Sequence, residues 1–252
     1  MLLCIDIGNT NTSLATFSGE KLVHSWRTKT DSRDTADEMG LLYRGLLAGD
    51  AIQLTGIAAC STVPSALRSL RTMLSRYYDA VPTVIVEPGV KTGVQLAIDN
   101  PKEVGTDRVV NTIAAYSCYG GPAIVVDFGT STNFDVISDK GEFLGGVLAP
   151  GIEISVDALA ARAAQLRKVE LVKPPRVIGK NTVECLQSGV VYGFAGQVDG
   201  IVRRIIAEMG PVQAVVATGG LAPVVVEECA TVTHHEPMLT LIGLRLVFER
   251  NR

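Results

Sequence analysis

The sequence predicts a duplicated α/β fold, in which each half carries a mixed sheet flanked by helices. Three observations lead there. Two near-copies of one turn, Asp6-Ile7-Gly8-Asn9-Thr10-Asn11-Thr12 and Asp127-Phe128-Gly129-Thr130-Ser131-Thr132-Asn133, stand about half the 252-residue chain apart. Each follows a short apolar run, Leu2 to Ile5 and Ile124 to Val126. In each half, three strand-like segments give way to alternating helical and strand-like pieces, the pattern of mixed sheets covered by helices. No low-complexity linker parts the halves, and the joint is expected in a helix over about residues 101–120.

The elements can be read in order. Residues 1–27 alternate as a β-meander, with Ser18-Gly19-Glu20-Lys21 as its hairpin turn. Thr35-Ala36-Asp37-Glu38 is a capping box, and Leu41, Leu42, Leu46 and Leu47 then recur at helical spacing. Residues 56–62 read as a strand, Pro64 and Ser65 open a helix to about Tyr78, and residues 82–87 form another strand. Pro101 is expected to open a helix that Gly120-Gly121 closes near Tyr119. In the second half, AIVVDFG and TNFDVIS make a hairpin and GEFLGGVLA a third strand. A helix follows Pro150-Gly151, and a long one spans about 181–209. AVVATGG (214–220) is a strand ending in a glycine turn, VTHHEP a short strand, and 239–250 a closing helix. The lobes are placed at 1–115 and 116–252.

Composition narrows the function. The chain is 47% hydrophobic and 19% charged, as expected of a folded core. A net charge of −3 and a pI near 5.7, without a basic run, argue against nucleic acid as a partner. Mean hydropathy is +0.28, yet no apolar stretch reaches the roughly 18–20 residues of a membrane span. The N-terminus lacks a signal-peptide pattern, so a cytoplasmic protein is expected. Cys4, Cys60, Cys118, Cys185 and Cys229 are scattered, and read as reduced, mostly buried thiols. His234-His235 reads as part of an exposed strand.

A strand, a tight turn rich in Gly, Thr and Asn, and a second strand can grip phosphate. The glycine lets the backbone come close, hydroxyls and turn N–H groups donate, and the aspartate can hold a hydrated cation. One such turn is an ordinary β-turn; a second in the matching place suggests a nucleotide between two lobes. Ala217-Thr218-Gly219-Gly220 adds a turn that a base or ribose can approach, or a plain strand-to-helix turn. Asp107, in Gly105-Thr106-Asp107-Arg108, falls in the first turns of a helix. There it either complements the helix dipole or serves as a proton acceptor beside the Arg108 fork. Gly105 would let a ligand approach the helix. Asp135 lies within a strand and takes no role, and Asn181 or Thr182 reads as a helix N-cap.

The set of motifs resembles the type III pantothenate kinases. It comprises Asp6-x-Gly8-Asn9-Thr10, the string from Asn100-Pro101 through Glu103-Val104-Gly105 to Asp107-Arg108, and Val126-Asp127-Phe128-Gly129-Thr130. Gly145-Gly146 with Pro150-Gly151 and Gly179-Lys180-Asn181-Thr182 complete it. The match runs in order over nearly the whole length. The Asn-Pro to Asp-Arg and Gly-Lys-Asn-Thr strings are specific to that family, whereas the two turns and Ala-Thr-Gly-Gly are shared by the actin-like sugar and acetate kinases.

The resemblance implies a duplicated actin-like (ribonuclease H-like) fold with mixed five-stranded sheets. It implies ATP-dependent phosphorylation of pantothenate, the first step towards coenzyme A, by a homodimer. Mg²⁺ with ATP and a monovalent cation, K⁺ or NH₄⁺, are the implied cofactors. Asp6, Ile7, Gly8, Asn9, Thr10, Asn11, Thr12 and Ser13 would hold the ATP phosphates, with Mg²⁺ near Asp6 through water, and Thr130 would contact ATP. Asp107 would be the general base, and Gly105, Thr106, Arg108 and Thr182 would line the pantothenate site. Asp127 would bind the monovalent cation. The chain departs from the family pattern at Ile98, where many members carry Tyr; an apolar side chain there can pack on the ligand's dimethyl group. Two alternatives accompany this reading: a non-catalytic ATP-binding regulator on the same fold, and a kinase for another small alcohol.

Overall fold

The computed structural model describes residues 1–48, 52–162 and 169–252. It divides into two compact units, each built on a five-stranded sheet. The first contains residues 1–94, 99–114 and 239–252; the second contains 95–98 and 115–238.

In the first unit β1 (Leu2–Ile7), β2 (Asn11–Ser18) and β3 (Lys21–Lys29) form an antiparallel meander. After α1 (Ala36–Ala48), β4 (Gly56–Ser61) pairs parallel with β1. After α2 (Pro64–Tyr77), β5 (Thr83–Ile85) extends the sheet, giving the order β3-β2-β1-β4-β5. Alternation along the strands decides the faces. Leu3, Ile5, Ile7, Leu14, Ile57 and Ala59 point into one core with Met39, Tyr43 and Leu47 of α1 and Leu70, Met73 and Leu74 of α2. Cys4, Asp6, Ala58 and Cys60 therefore stand on the opposite face. The capping box forms as expected: Glu38 accepts from the Thr35 backbone N–H, and the Glu38 N–H donates to Thr35 Oγ1.

Pro101 opens only a single 3-10 turn, Pro101–Glu103, and α3 (Thr106–Tyr119) begins three residues later. The expected single helix from Pro101 is thus two pieces. Val104 takes an extended conformation between them, which resets the chain direction before Thr106. The boundary between the two units falls within α3, after Ala114.

The second unit repeats the first. An antiparallel meander of β6 (Ala123–Phe128), β7 (Ser131–Ile137) and β8 (Phe143–Pro150) leads to α4 (Ile152–Arg162) and α5 (Thr182–Met209). Strand β9 (Ala214–Thr218), the short α6 (Ala222–Val225), β10 (His234–His235) and α7 (Leu239–Arg250) follow. The sheet order β10-β9-β6-β7-β8 is the first sheet's order, with β9 and β10 parallel to β6. Ile124, Val126, Phe128, Phe134, Val215 and Ala217 meet Val190, Val198 and Val202 of α5 in its core.

Helix α7 does not stay with the half that precedes it. It packs on β1, β2 and β4, with the Phe248 ring filling the space beside Gly56 where a side chain would stand. Leu239, Leu241, Leu244, Val247 and Phe248 are buried there, which moves residues 239–252 out of the second lobe drawn from the sequence. His234 and His235 are exposed, all five cysteines are free thiols, and no helix among the described residues is long and apolar enough to cross a membrane.

Candidate active site

The two turns share a plan but not a length. Asp6 and Asp127 occupy equivalent places, the penultimate residue of β1 and of β6. In the first copy three residues, Gly8-Asn9-Thr10, separate the strands, and the Gly8 N–H donates to Asn11 O at 3.0 Å. In the second only Gly129-Thr130 intervene, and the Gly129 N–H donates to Ser131 O at 3.0 Å. Thr132 is thus the structural counterpart of Thr12, each opposite the last residue of its partner strand. Asn9 and Thr10 are exposed at the tip of the first turn.

Strand alternation sorts the first cradle. Asp6 sits partly exposed on the face away from the α1–α2 core, opposite Ser13 on β2 and Cys60 on β4. The Ile7 side chain is buried in the core, so only its backbone faces the turn. Thr12 is buried as well, its hydroxyl 2.9 Å from Thr30 Oγ1. The groups left to meet a ligand are Asp6, Gly8, Asn9, Thr10, Asn11 and Ser13.

Asp107 lies in the first turn of α3, where the helix N–H groups lack intrahelical partners. Its Oδ1 accepts from the Arg108 N–H at 2.9 Å. The carboxylate folds back over Gly105, occupying the space into which a Cβ on Gly105 would project; Thr62 Cγ2 stands on the other side, 3.9 Å from that position. Gly105 therefore serves the carboxylate directly, a demand that sequence reading assigned to a ligand. Burial pushes the Asp107 pKa up, against the opposing pull of the Arg108 backbone N–H and charge. Asp6 is pushed up to about 7, first by desolvation and then by the charge on Asp107, with a Cys60 hydrogen bond pulling back. A carboxylate raised by burial and by the charge of a second carboxylate marks a place suited to proton transfer or a cation. Beside them, Thr106 Oγ1 is buried without a hydrogen-bond partner, a polar atom in want of one.

In the second unit Asp127 meets the glycine turn. Gly219, at φ +92°, lies so close that a Cβ would collide with Asp127 Oδ1 and stand 2.6 Å from Phe128 N. That crowding was invisible in the sequence, which offered a ligand's approach or a plain strand-to-helix turn as the reason for the glycine. Gly151 plays the same part for the turn itself: its N–H donates to Thr130 O at 3.2 Å, and a Cβ would overlap the Thr130 and Gly129 carbonyls. Thr130 is exposed at the tip.

Ile98 belongs to the second unit. Its neighbours pair with β8, Ala97 N–H donating to Phe143 O and Phe143 N–H to Gln95 O, each at 2.9 Å, and Ile98 Cγ2 lies 3.7 Å from where a Gly145 Cβ would be. Asn181 is the N-cap of α5, its side chain accepting from the Glu184 N–H at 2.9 Å. Thr182, next to it, is exposed. Asp135 is fully buried between Val125 and Gly146 in the sheet.

The family model for type III pantothenate kinase matches residues 2–204. The chain belongs to that family. It is 75% identical to the type III pantothenate kinase of Salinispora arenicola, with 100% of each chain covered. To that of Acidothermus cellulolyticus it is 65% identical, over 100% of this chain and 99% of the relative. Two solved structures show the fold. Component A of (R)-2-hydroxyglutaryl-CoA dehydratase from Acidaminococcus fermentans has a TM-score of 0.59 at 15% identity, covering 99% of this chain and 98% of that one. A ROK hexokinase from Thermus thermophilus has a TM-score of 0.55 at 14% identity, covering 99% and 98%. The duplicated architecture is thus the actin-like one of sugar kinases and related ATPases.

Proposed function

We propose that Asp107 is the general base of an ATP-dependent phosphorylation of pantothenate, the first step of coenzyme A biosynthesis. The observation that carries this reading is the anchored, half-buried carboxylate at the start of α3, close enough to Asp6 to raise its pKa. Asp107 takes the proton as the substrate hydroxyl oxygen bonds to the γ-phosphorus. The bond from that phosphorus to the β–γ bridging oxygen breaks, and ADP leaves. Oδ1 is held by the Arg108 N–H, so Oδ2 is the oxygen assigned to the proton. Arg108 is assigned to the pantothenate carboxylate, and the buried Thr106 hydroxyl, which lacks a hydrogen-bond partner, to another polar group of the substrate. Gly8, Asn9, Thr10 and Asn11 wrap the phosphates. Thr130 is assigned to ATP, and Thr182 and Ile98 to pantothenate.

No three His, Cys, Asp or Glu side chains gather into a metal cage among the described residues. Mg²⁺ does not require one, since it takes one or two carboxylates together with waters and phosphates. Asp6 offers one such carboxylate. The ion would supply positive charge to the phosphates as negative charge shifts between them. Asp127, pressed between Gly219 and its own turn, is assigned to the monovalent cation. The chain lacks a Gly-x-x-x-x-Gly-Lys-Ser/Thr loop, so this cation takes the place of its lysine charge. A homodimer and a cytoplasmic location complete the reading. The exposed Leu148, Ile154 and Leu159 of β8 and α4 supply an apolar surface for the dimer, and five free thiols suit a reducing compartment.

A coupled assay with ATP and pantothenate in ammonium, potassium and sodium salts tests the proposal. Turnover with either of the first two, and little with sodium, is expected. Absence of turnover in all three would refute it.

A further inference from the structure

Strand β4 delivers a side chain that the sequence offers only as a small hydrophobe. Cys60 stands directly opposite Asp6 in the parallel β1–β4 ladder, on the face away from the α1–α2 core. It is fully buried, and its thiol donates to Asp6 Oδ1 at 3.3 Å. The residues that follow fix the backbone on the other side of that carboxylate. Ser61 Oγ donates to Ile7 O at 3.1 Å and accepts from the Val63 N–H at 3.0 Å, and the Thr62 N–H donates to Ile7 O at 3.3 Å. The end of β4 thus holds both the side chain of Asp6 and the peptide that leads into the phosphate turn.

A carboxylate rotates in a broad, nearly two-fold well, so one donor on one oxygen is enough to select its orientation. A thiol is a weak donor. It can orient Asp6 while leaving most of the negative charge for a cation. We propose that Cys60 is a positioning residue for the Mg·ATP cradle. Its S–H holds Oδ1 of Asp6, which would leave the other oxygen for the water shell of the Mg²⁺ that accompanies ATP. The inference rests on the assignment of Asp6 to that cradle.

The test is equilibrium binding of a non-hydrolysable ATP analogue by calorimetry, with and without Mg²⁺, for the wild type, Cys60→Ala, Cys60→Ser and Asp6→Asn. Cys60→Ala is expected to lose about three- to tenfold of the affinity that Mg²⁺ adds, with metal-free affinity unchanged. Cys60→Ser, which restores a donor, should return to within about twofold of the wild type. A wild-type response to Mg²⁺ in a folded Cys60→Ala protein overturns the proposal. So does a Ser variant that behaves like the Ala variant, because packing alone would then account for the loss. Asp6→Asn separates this inference from the one beneath it. An unchanged Mg²⁺ response in Asp6→Asn sinks the assignment of Asp6 itself, whereas loss in Asp6→Asn with none in Cys60→Ala sinks the role of Cys60 alone. Should Cys60→Ala fail to fold, the infrared S–H stretch that disappears in Cys60→Ser supplies the readout. It should lie at the lowered frequency of a hydrogen-bonded thiol and move up in Asp6→Asn; a band that stays in place overturns the proposal.

Discussion

The carboxylate of Asp107 occupies the space that a side chain on Gly105 would need. Only glycine at 105 allows Oδ1 to reach the Arg108 N–H at the start of α3. Gly105→Ala should displace the base while leaving the phosphate turn of residues 8–10 alone. We expect kcat to fall by about tenfold to a hundredfold, since a misplaced general base loses much of its usual contribution. The KM for ATP should change by less than about twofold, because no ATP contact is altered. Steady-state kinetics decide it, and an equal rise in KM for ATP would contradict the assignment.

Asp107→Asn keeps the shape and removes the proton acceptor. Turnover should drop by about 10²- to 10⁴-fold with ATP-analogue binding nearly intact. In the wild type, burial holds the Asp107 pKa above the ordinary carboxylate range. The base works only when ionised, so kcat/KM should fall as pH is lowered through that raised value, earlier than an exposed aspartate would dictate. Wild-type-like turnover of Asp107→Asn would end the general-base proposal.

Asp6 carries a stability cost in the ligand-free protein. Its pKa rises from 3.8 to about 7 on folding. Between those values the unfolded chain gives up the proton first, so folding stability declines as pH rises from about 4 to about 7 and is level above. Asp6→Asn escapes that decline. Allowing for partial exposure, it should be more stable than the wild type by roughly 2 kcal/mol at pH 8, about 4–8 °C in Tm, and nearly equal near pH 4. Metal-free unfolding at both pH values measures this, and an advantage confined to the acid side would show the sign to be wrong.

Gly219→Ala strikes Asp127 twice. Its φ of +92° strains any L side chain, and the Cβ collides with Asp127 Oδ1. A stability loss of about 1–3 kcal/mol is expected. The stimulation of turnover by potassium or ammonium over sodium should also shrink. Retention of full stimulation at reduced stability would remove Asp127 from the cation role.

The sequence by itself determined the large pattern. Paired Asp-x-Gly turns and repeated hydrophobic periodicity dictated two meanders with helices between them, because side-chain alternation along a strand is a local property. The capping box at Thr35, the N-cap at Asn181 and the position of Asp107 near a helix start were legible for the same reason. Tertiary structure alone decided what crosses between distant segments. It put α7 on the first sheet, through apolar burial that no spacing in residues 239–250 could address to β1 and β4. It set the length of each turn by strand pairing, making the two copies unequal. It also placed Cys60 against Asp6, Gly219 against Asp127 and Gly105 beneath Asp107, contacts fixed by register and by the absence of a Cβ. Glycines that looked like openings for a ligand are, in two of these three places, the room that a carboxylate of the chain itself requires.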